Sequence, residues 1–363
     1  MSNPRRLSPN EIRRIQQAEK TLEELKKVLG HNYRYILSMQ QIQQAFEDQN
    51  DSFSLLQNRI AMRKINAIIK QSAGKFNIIL LNAIQKEWQL TNDSYWKGLK
   101  NVFGKTVKEV QYFDEIRKEA TANVRSTADE SRNFYNQKRG GVTISDRVWK
   151  LHANIPMEMD AMVQNAIKQG KSADNLAKNI NRYLEEPDKI FRKVRNKKTG
   201  ELEWSEAAKK YNPGRGIYRS SYKNAMRLAR TEINRAYRSA EWEAYQDNHL
   251  IYGYEIVLSN NTENQCDVCK RLAGVYPKWF KWTGWHPQCR CRMVPVQMPK
   301  ADWEKLLKLR FEGKESEFKP AFIEELPPQF IDYLQENKER IQGAATLPYW
   351  YGDNEERLRE FML

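Results

Sequence analysis

The four cysteines of this 363-residue chain all fall within 26 consecutive positions. Cys266 and Cys269 are separated by two residues. After a sixteen-residue gap come His286, Cys289 and Cys291, in the order His-Pro-Gln-Cys-Arg-Cys. A two-residue spacer lets two sulfurs face one ion. In an extended segment, residues i and i+2 point to the same side, so Cys289 and Cys291 can meet the first pair. This is the donor chemistry of a tetrahedral site for a soft cation, with zinc the expected ion. Five candidates compete for four positions. The favoured set is Cys266, Cys269, Cys289 and Cys291, with His286 as a substitute ligand or a partner behind them.

The alternative is free buried thiols or two disulfides. Disulfides need an oxidising compartment, and the polar start MSNPRRLSPNE lacks the apolar run of a signal peptide. A closed four-ligand site leaves no position for a reacting water, so the expected metal is structural. A Cys-His nucleophile pair is formally available, but these cysteines serve better as ligands. No carboxylate pair with acid-base logic accompanies them, and the expectation is a protein that is not an enzyme.

The elements around the cluster follow from periodicity. The first 140 residues read as helices. Ser8, Pro9, Asn10 and Glu11 have the form of a capping box. Behind them Ile12, Ile15, Leu22, Leu25 and Leu29 form one apolar stripe. A second stripe carries Ile60, Ile65, Ile68, Ile69, Leu80, Leu81, Ile84 and Trp88. Arg139, Gly140 and Gly141 look like a hinge, and a helical section is expected from Arg147 to Gln169. Gly170, Lys171 and Ser172 are not a phosphate loop, because position 165 is asparagine where that motif needs glycine. Gly170 reads as a helix C-cap and Ser172 as an N-cap. Phe191 to Tyr211 is a basic excursion with Lys198, Thr199 and Gly200 at its tip. A long helix is expected over Ser221–Gln246.

After that helix, Tyr252, Tyr254, Ile256 and Leu258 alternate as in a strand, and Met293 to Val296 reads as a closing strand. Pro299 to Leu363 carries two short helical patterns, Trp303 to Leu309 and Pro328 to Ile341. The aromatic run Leu347 to Tyr351 could anchor on another surface. The predicted class is α+β and mostly α-helical, an elongated helical N-terminal region plus a small metal-stapled antiparallel β module. The expected divisions are 1–140, a helical arm or bundle; 141–248, helical with a basic loop; 249–298, the cysteine-rich β module; and 299–363, an extension.

Lysine and arginine outnumber aspartate and glutamate 61 to 46. Lys189 to Arg238 holds fifteen basic and four acidic residues, +11 of the formal +15. Such a block suits double-stranded DNA or an acidic partner face. Arg192, Lys193, Arg195, Arg227, Arg230 and Arg238 are the candidate contacts. A solvated helix face with local pairs such as Glu232 and Arg235 is the plainer reading. No apolar stretch is long enough to span a bilayer.

The segment Ala229-Arg230-Thr231-Glu232, then Cys266-x-x-Cys269-x-x-Leu272-x-Gly274, then His286-Pro287-x-Cys289-Arg290-Cys291, resembles the Mu F-like head morphogenesis family of tailed bacteriophages, also called minor head proteins. The match covers roughly Ile144 to Gln297. The resemblance implies a capsid-associated component at the portal vertex, with portal, capsid or scaffold proteins as partners and a role in DNA packaging or ejection. It places the chain in the phage head, and in the host cytoplasm during assembly. The chain departs from the family at Ser259 to Glu263, where relatives carry an acidic residue with threonine or arginine. A zinc-ribbon nucleic-acid-binding or nuclease-like protein is the alternative reading.

Overall fold

The computed structural model describes residues 7–50, 52–122, 126–186, 193–204, 217–259 and 265–362. Helices make up 66% of the described residues beside a three-stranded antiparallel sheet, which establishes the predicted mostly helical α+β class.

Helix ends lie where local chemistry requires them. α1 (Pro9–Leu37) opens with the capping box: the Ser8 amide donates to Glu11 Oε2 at 2.7 Å, and the Glu11 amide to Ser8 Oγ at 3.2 Å. α2 (Gln40–Glu47) follows. α3 (Arg59–Phe103) has 45 residues, contains no proline, and is capped by Asn58, whose side-chain oxygen accepts the Ala61 amide at 3.0 Å. α4 (Val107–Ala122) and α5 (Thr127–Asn136) come next. Arg139 to Val142 is a tight turn rather than an open hinge segment. A backbone bridge joins its ends, and Gly140 and Gly141 take the positive φ values, 61° and 78°, that such a turn demands.

The helix expected from Arg147 to Gln169 is two helices, α6 (Ile144–His152) and α7 (Ile155–Lys168). Pro156 is the reason. It has no amide to bond the preceding turn and is tolerated only at a helix start. Gly170 (φ 66°) closes α7 as expected, and Ser172 caps α8 (Ala173–Glu185) through the Asn175 amide at 3.2 Å. β1 (Lys193–Arg195) and β2 (Leu202–Trp204) pair as an antiparallel hairpin. The rest of the basic excursion, 191–192 and 205–211, lies outside the described residues. α9 (Ser221–Gln246) has the predicted bounds.

Beyond α9 come β3 (Ile251–Val257), α10 (Asp267–Arg271), β4 (Gly274–Tyr276) and β5 (Arg292–Gln297), then α11 (Lys300–Phe311), α12 (Pro328–Glu336), α13 (Lys338–Gln342), α14 (Tyr349–Gly352) and α15 (Glu355–Leu358). The sheet order is β4-β3-β5, and Tyr254 faces Tyr276 on one side and Pro295 on the other. Pro295 is tolerated because β5 is an edge strand. Gly253 is required: a Cβ there would lie 2.7 Å from Ile323 Cδ1 and 2.8 Å from the Tyr276 carbonyl.

The chain forms two compact units, each assembled from separated stretches. One comprises Met1–Gln16, Ala83–Phe134 and Thr231–Leu363; the other comprises Gln17–Asn82 and Tyr135–Arg230. The four consecutive segments expected from the sequence are not these units. The physical reason is that α1, α3 and α9 are uninterrupted helices, and each contributes residues to both. The second unit buries Leu25, Tyr33, Ile36, Ile65, Phe76, Val148, Met159 and Leu176. The first has a large aromatic core in which Phe280 lies 5.0 Å from Phe330, and Phe330 5.4 Å from Trp350. The aromatic run expected to anchor elsewhere is therefore internal: Trp350 and Tyr351 are buried in this core. The cysteine-rich stretch shares that core with α3, α4 and the C-terminal helices instead of building a miniature one.

Candidate metal centre

Cys266 is the N-cap of α10, and its sulfur accepts the Cys269 amide at 3.3 Å. This short turn is what a two-residue spacer permits, and it aims both sulfurs to one side. The second half lies on the approach to β5. Gln288 takes a left-handed conformation, φ 62°, which reverses the chain between His286 and Cys289. The Cys289 amide donates to the His286 carbonyl at 3.1 Å within that turn.

The structure brings all five sequence-predicted ligands together. His286 Nε2 is 3.2 Å from Cys266 Sγ and 3.2 Å from Cys269 Sγ, and Cys269 Sγ is 3.8 Å from Cys289 Sγ. The donor atoms form two overlapping sets of three, each within 4.8 Å: Cys266, Cys269 and His286, and Cys269, Cys289 and Cys291. Cys269 belongs to both. All four cysteines are free thiols, so the disulfide alternative does not describe this arrangement. Cys269, Cys289 and Cys291 are buried.

The donors fit a soft metal ion on three counts. Tetrahedral zinc with Zn–S bonds near 2.3 Å separates neighbouring sulfurs by about 3.8 Å, the spacing of Cys269 and Cys289. His286 Nδ1 lies 2.9 Å from the Pro287 carbonyl, so that nitrogen carries the proton and Nε2 turns its lone pair toward the sulfurs. The three buried thiols hydrogen-bond to one another, which holds the Cys289 thiol below its usual range, helped by the Arg238 charge, and raises Cys269 and Cys291.

Helix α9 positions the second half. Arg238 donates from Nη2 to the carbonyls of Cys289 (2.6 Å) and Cys291 (2.9 Å), and from Nη1 to that of Thr283 (3.0 Å). Its guanidinium lies 4.8 Å from the Trp282 ring centroid. The Gln288 amide donates to Thr231 Oγ1 at 3.1 Å, and Arg235 Nε reaches Thr283 Oγ1 at 3.4 Å. Gly284 (φ 133°) leaves the space this requires, since a Cβ there would meet Arg238 Nη1 at 2.8 Å.

This corrects the reading of Arg238 as a phosphate contact. It is 4% exposed, with its donors directed at carbonyls. The Glu232–Arg235 pair exists, at 2.8 Å, but it is buried instead of surface-exposed. Arg230 Nη1 pairs with Glu19 at 2.9 Å, and Arg227 is half-buried. Arg195 is exposed and donates to the Gly200 carbonyl at 2.8 Å. Arg192 lies outside the described residues; Lys193 belongs to β1. Trp282 and Trp285 are buried, which removes them from any base-stacking surface. Of the departure at 259–263, only Ser259 is among the described residues.

Sequence reasoning missed Thr231, Gly284 and Gln288, and misassigned Arg238. The signal was present. Thr231, Arg235 and Arg238 recur at i, i+4 and i+7, which places them on one helix face. No family model, curated protein or solved structure matches the chain.

Proposed function

We propose that the chain is a minor head protein of a tailed phage or prophage, acting in head morphogenesis at the portal vertex and in DNA packaging or ejection. One observation carries this reading. The two halves of the motif set that resembles the Mu F-like family interlock: the Thr231-to-Arg238 face of α9 holds the His286-to-Cys291 turn through three hydrogen bonds. A pair of motifs recurring by chance has no reason to lock together. The metal is zinc, held by Cys266, Cys269, Cys289 and His286, with Cys291 beside Cys269 and Cys289 as the alternative fourth ligand. The 3.2 Å approach of His286 to both sulfurs of the first pair supports its inclusion. The role is structural, because the donors leave no open position.

Deleting the gene is expected to give particles that are non-infectious or abnormal in DNA content, and the protein is expected to co-purify with capsids and portal. Normal, infectious particles from the deletion would overturn the assignment. Protein purified without added zinc is expected to carry about one equivalent per chain. His286→Ala is expected to reduce that content more than Cys291→Ser does.

A further inference from the structure

A second polar site lies within the first unit, formed by the start of α1, the 90–99 stretch of α3, the end of α9, and β5. It lines a half-open cavity of about 570 Å³, inside the range of about 300–1,000 Å³ typical of small-molecule sites. Most of its wall is apolar, including Leu90, Leu99, Tyr245, Met293 and Val294. Two polar groups face into it without partners. Glu241 Oε1 accepts the Tyr237 hydroxyl, while Glu241 Oε2 is screened from solvent and bonds to nothing among the described residues. The same holds for Arg14 Nε. The Arg14 guanidinium stacks 3.8 Å from the Tyr237 ring centroid, so one tyrosine links the two groups.

We propose that this cavity binds a small monocarboxylate with an apolar body, its carboxylate held by Arg14 and by the Glu241 carboxyl. The charge balance argues for the anion. The remaining charged wall residues, Glu11 and Arg292, form their own ion pair. Burial raises Glu241 to about 8 and Glu87, one turn before Leu90 on α3, to about 7, with Arg14 opposing both shifts. Tyr237, Tyr245 and Tyr95 are neutral, pushed up chiefly by burial, and Arg238 lies within electrostatic reach of Glu241. Slightly below neutral pH, Arg14 is thus a cation without an ionised partner, and Glu241 carries a proton to donate. Two donors and one net positive charge match a carboxylate. A phosphate dianion would leave one charge uncompensated, and a neutral amide would leave Arg14 without an anion.

The test is ligand-observed NMR titration of the full chain with hexanoate and 4-fluorobenzoate, with hexanamide and inorganic phosphate as controls. Both carboxylates are expected to bind saturably near pH 6 and to weaken about tenfold or more by about pH 9, as Glu241 ionises. Hexanamide and phosphate are expected not to bind. Arg14→Met should abolish binding. Arg14→Lys, which keeps the charge but lacks Nε, should weaken it, and so covers a folding failure of the first variant. Glu241→Gln keeps a donor and should retain binding while flattening the pH profile. Absence of saturable carboxylate binding, equal binding of hexanamide, or unchanged affinity in a folded Arg14 variant would overturn the proposal.

Discussion

Arg238 shows how much a single side chain can organise. Its planar fork donates to three carbonyls from a side chain only 4% exposed. Arg238→Met is expected to leave those carbonyls unpaired and to cost at least about 3 kcal/mol, since each unsatisfied buried group costs about 1–3 kcal/mol. Arg238→Lys should not rescue it, because an ammonium on a flexible stem cannot span the three positions. Thermal unfolding and the rate of metal loss to a chelator would measure both effects. A variant with wild-type stability and metal retention would remove Arg238 from the site. Gly284 is the complementary case: Gly284→Ala adds a methyl against the guanidinium at a φ that alanine rarely adopts. It is expected to weaken metal retention in the same direction.

At the scale of elements, α9 and the turn before β5 act as one body, and the proposed metal would be its third member. The turn has little regular structure of its own: α10 has five residues and β4 three. Such short elements do not persist without tertiary support. Chelation is therefore expected to release hydrogen-exchange protection from about residue 265 to 291, while α1 from Gln17 onward and α3 up to Asn82, in the second unit, keep theirs. Loss of protection throughout the chain would show that the metal supports more than this module. Unchanged protection would show that hydrogen bonds alone hold the turn. The aromatic core ties this segment to the C-terminal helices, since Phe280 and Trp285 pack on Phe330 and Trp350, so loss of protection is expected to extend into those helices.

For the whole molecule, three glutamates with raised carboxyls set an unusual dependence on pH. Burial raises Glu87 and Glu158 to about 7 and Glu241 to about 8. A carboxyl raised in the folded state holds its proton there across a window in which the unfolded chain has released it. The unfolded chain then binds fewer protons, so stability falls as pH rises from about 4.5 toward about 8. Thermal melting is expected to peak near pH 5 and to decline through neutrality, where many proteins are most stable. Glu158 offers a clean probe in the second unit. Its Oε2 accepts the Tyr33 hydroxyl at 2.7 Å and the Ser221 amide at 3.2 Å, and Oε1 has no partner. Glu158→Gln keeps an acceptor and removes the ionisation. It is expected to stabilise the protein at pH 8 by about 1 kcal/mol or more, with the gain shrinking toward pH 5. A gain that does not vary with pH would place the charge of Glu158 elsewhere than in this account.

Helix positions were legible in the sequence because caps and apolar periodicity are local. Ser8 with Glu11, Gly170 and Ser172 each satisfy backbone groups within one turn, and no distant residue is needed to read them. The cysteine spacing was legible for the same reason: two residues between Cys266 and Cys269 allow only a short turn. What periodicity cannot say is what covers a face. The arginines of α9 looked like a surface stripe because charged residues usually meet water. Arg238 instead meets carbonyls 51 and 53 residues further along the chain, and that contact exists only once the turn has folded over the helix. The glutamates of the cavity follow the same logic. Glu11 shows in the sequence only as a capping residue and Glu241 not at all, and only the packing of α1, α3, α9 and β5 around one cavity gives the two distinct protonation states.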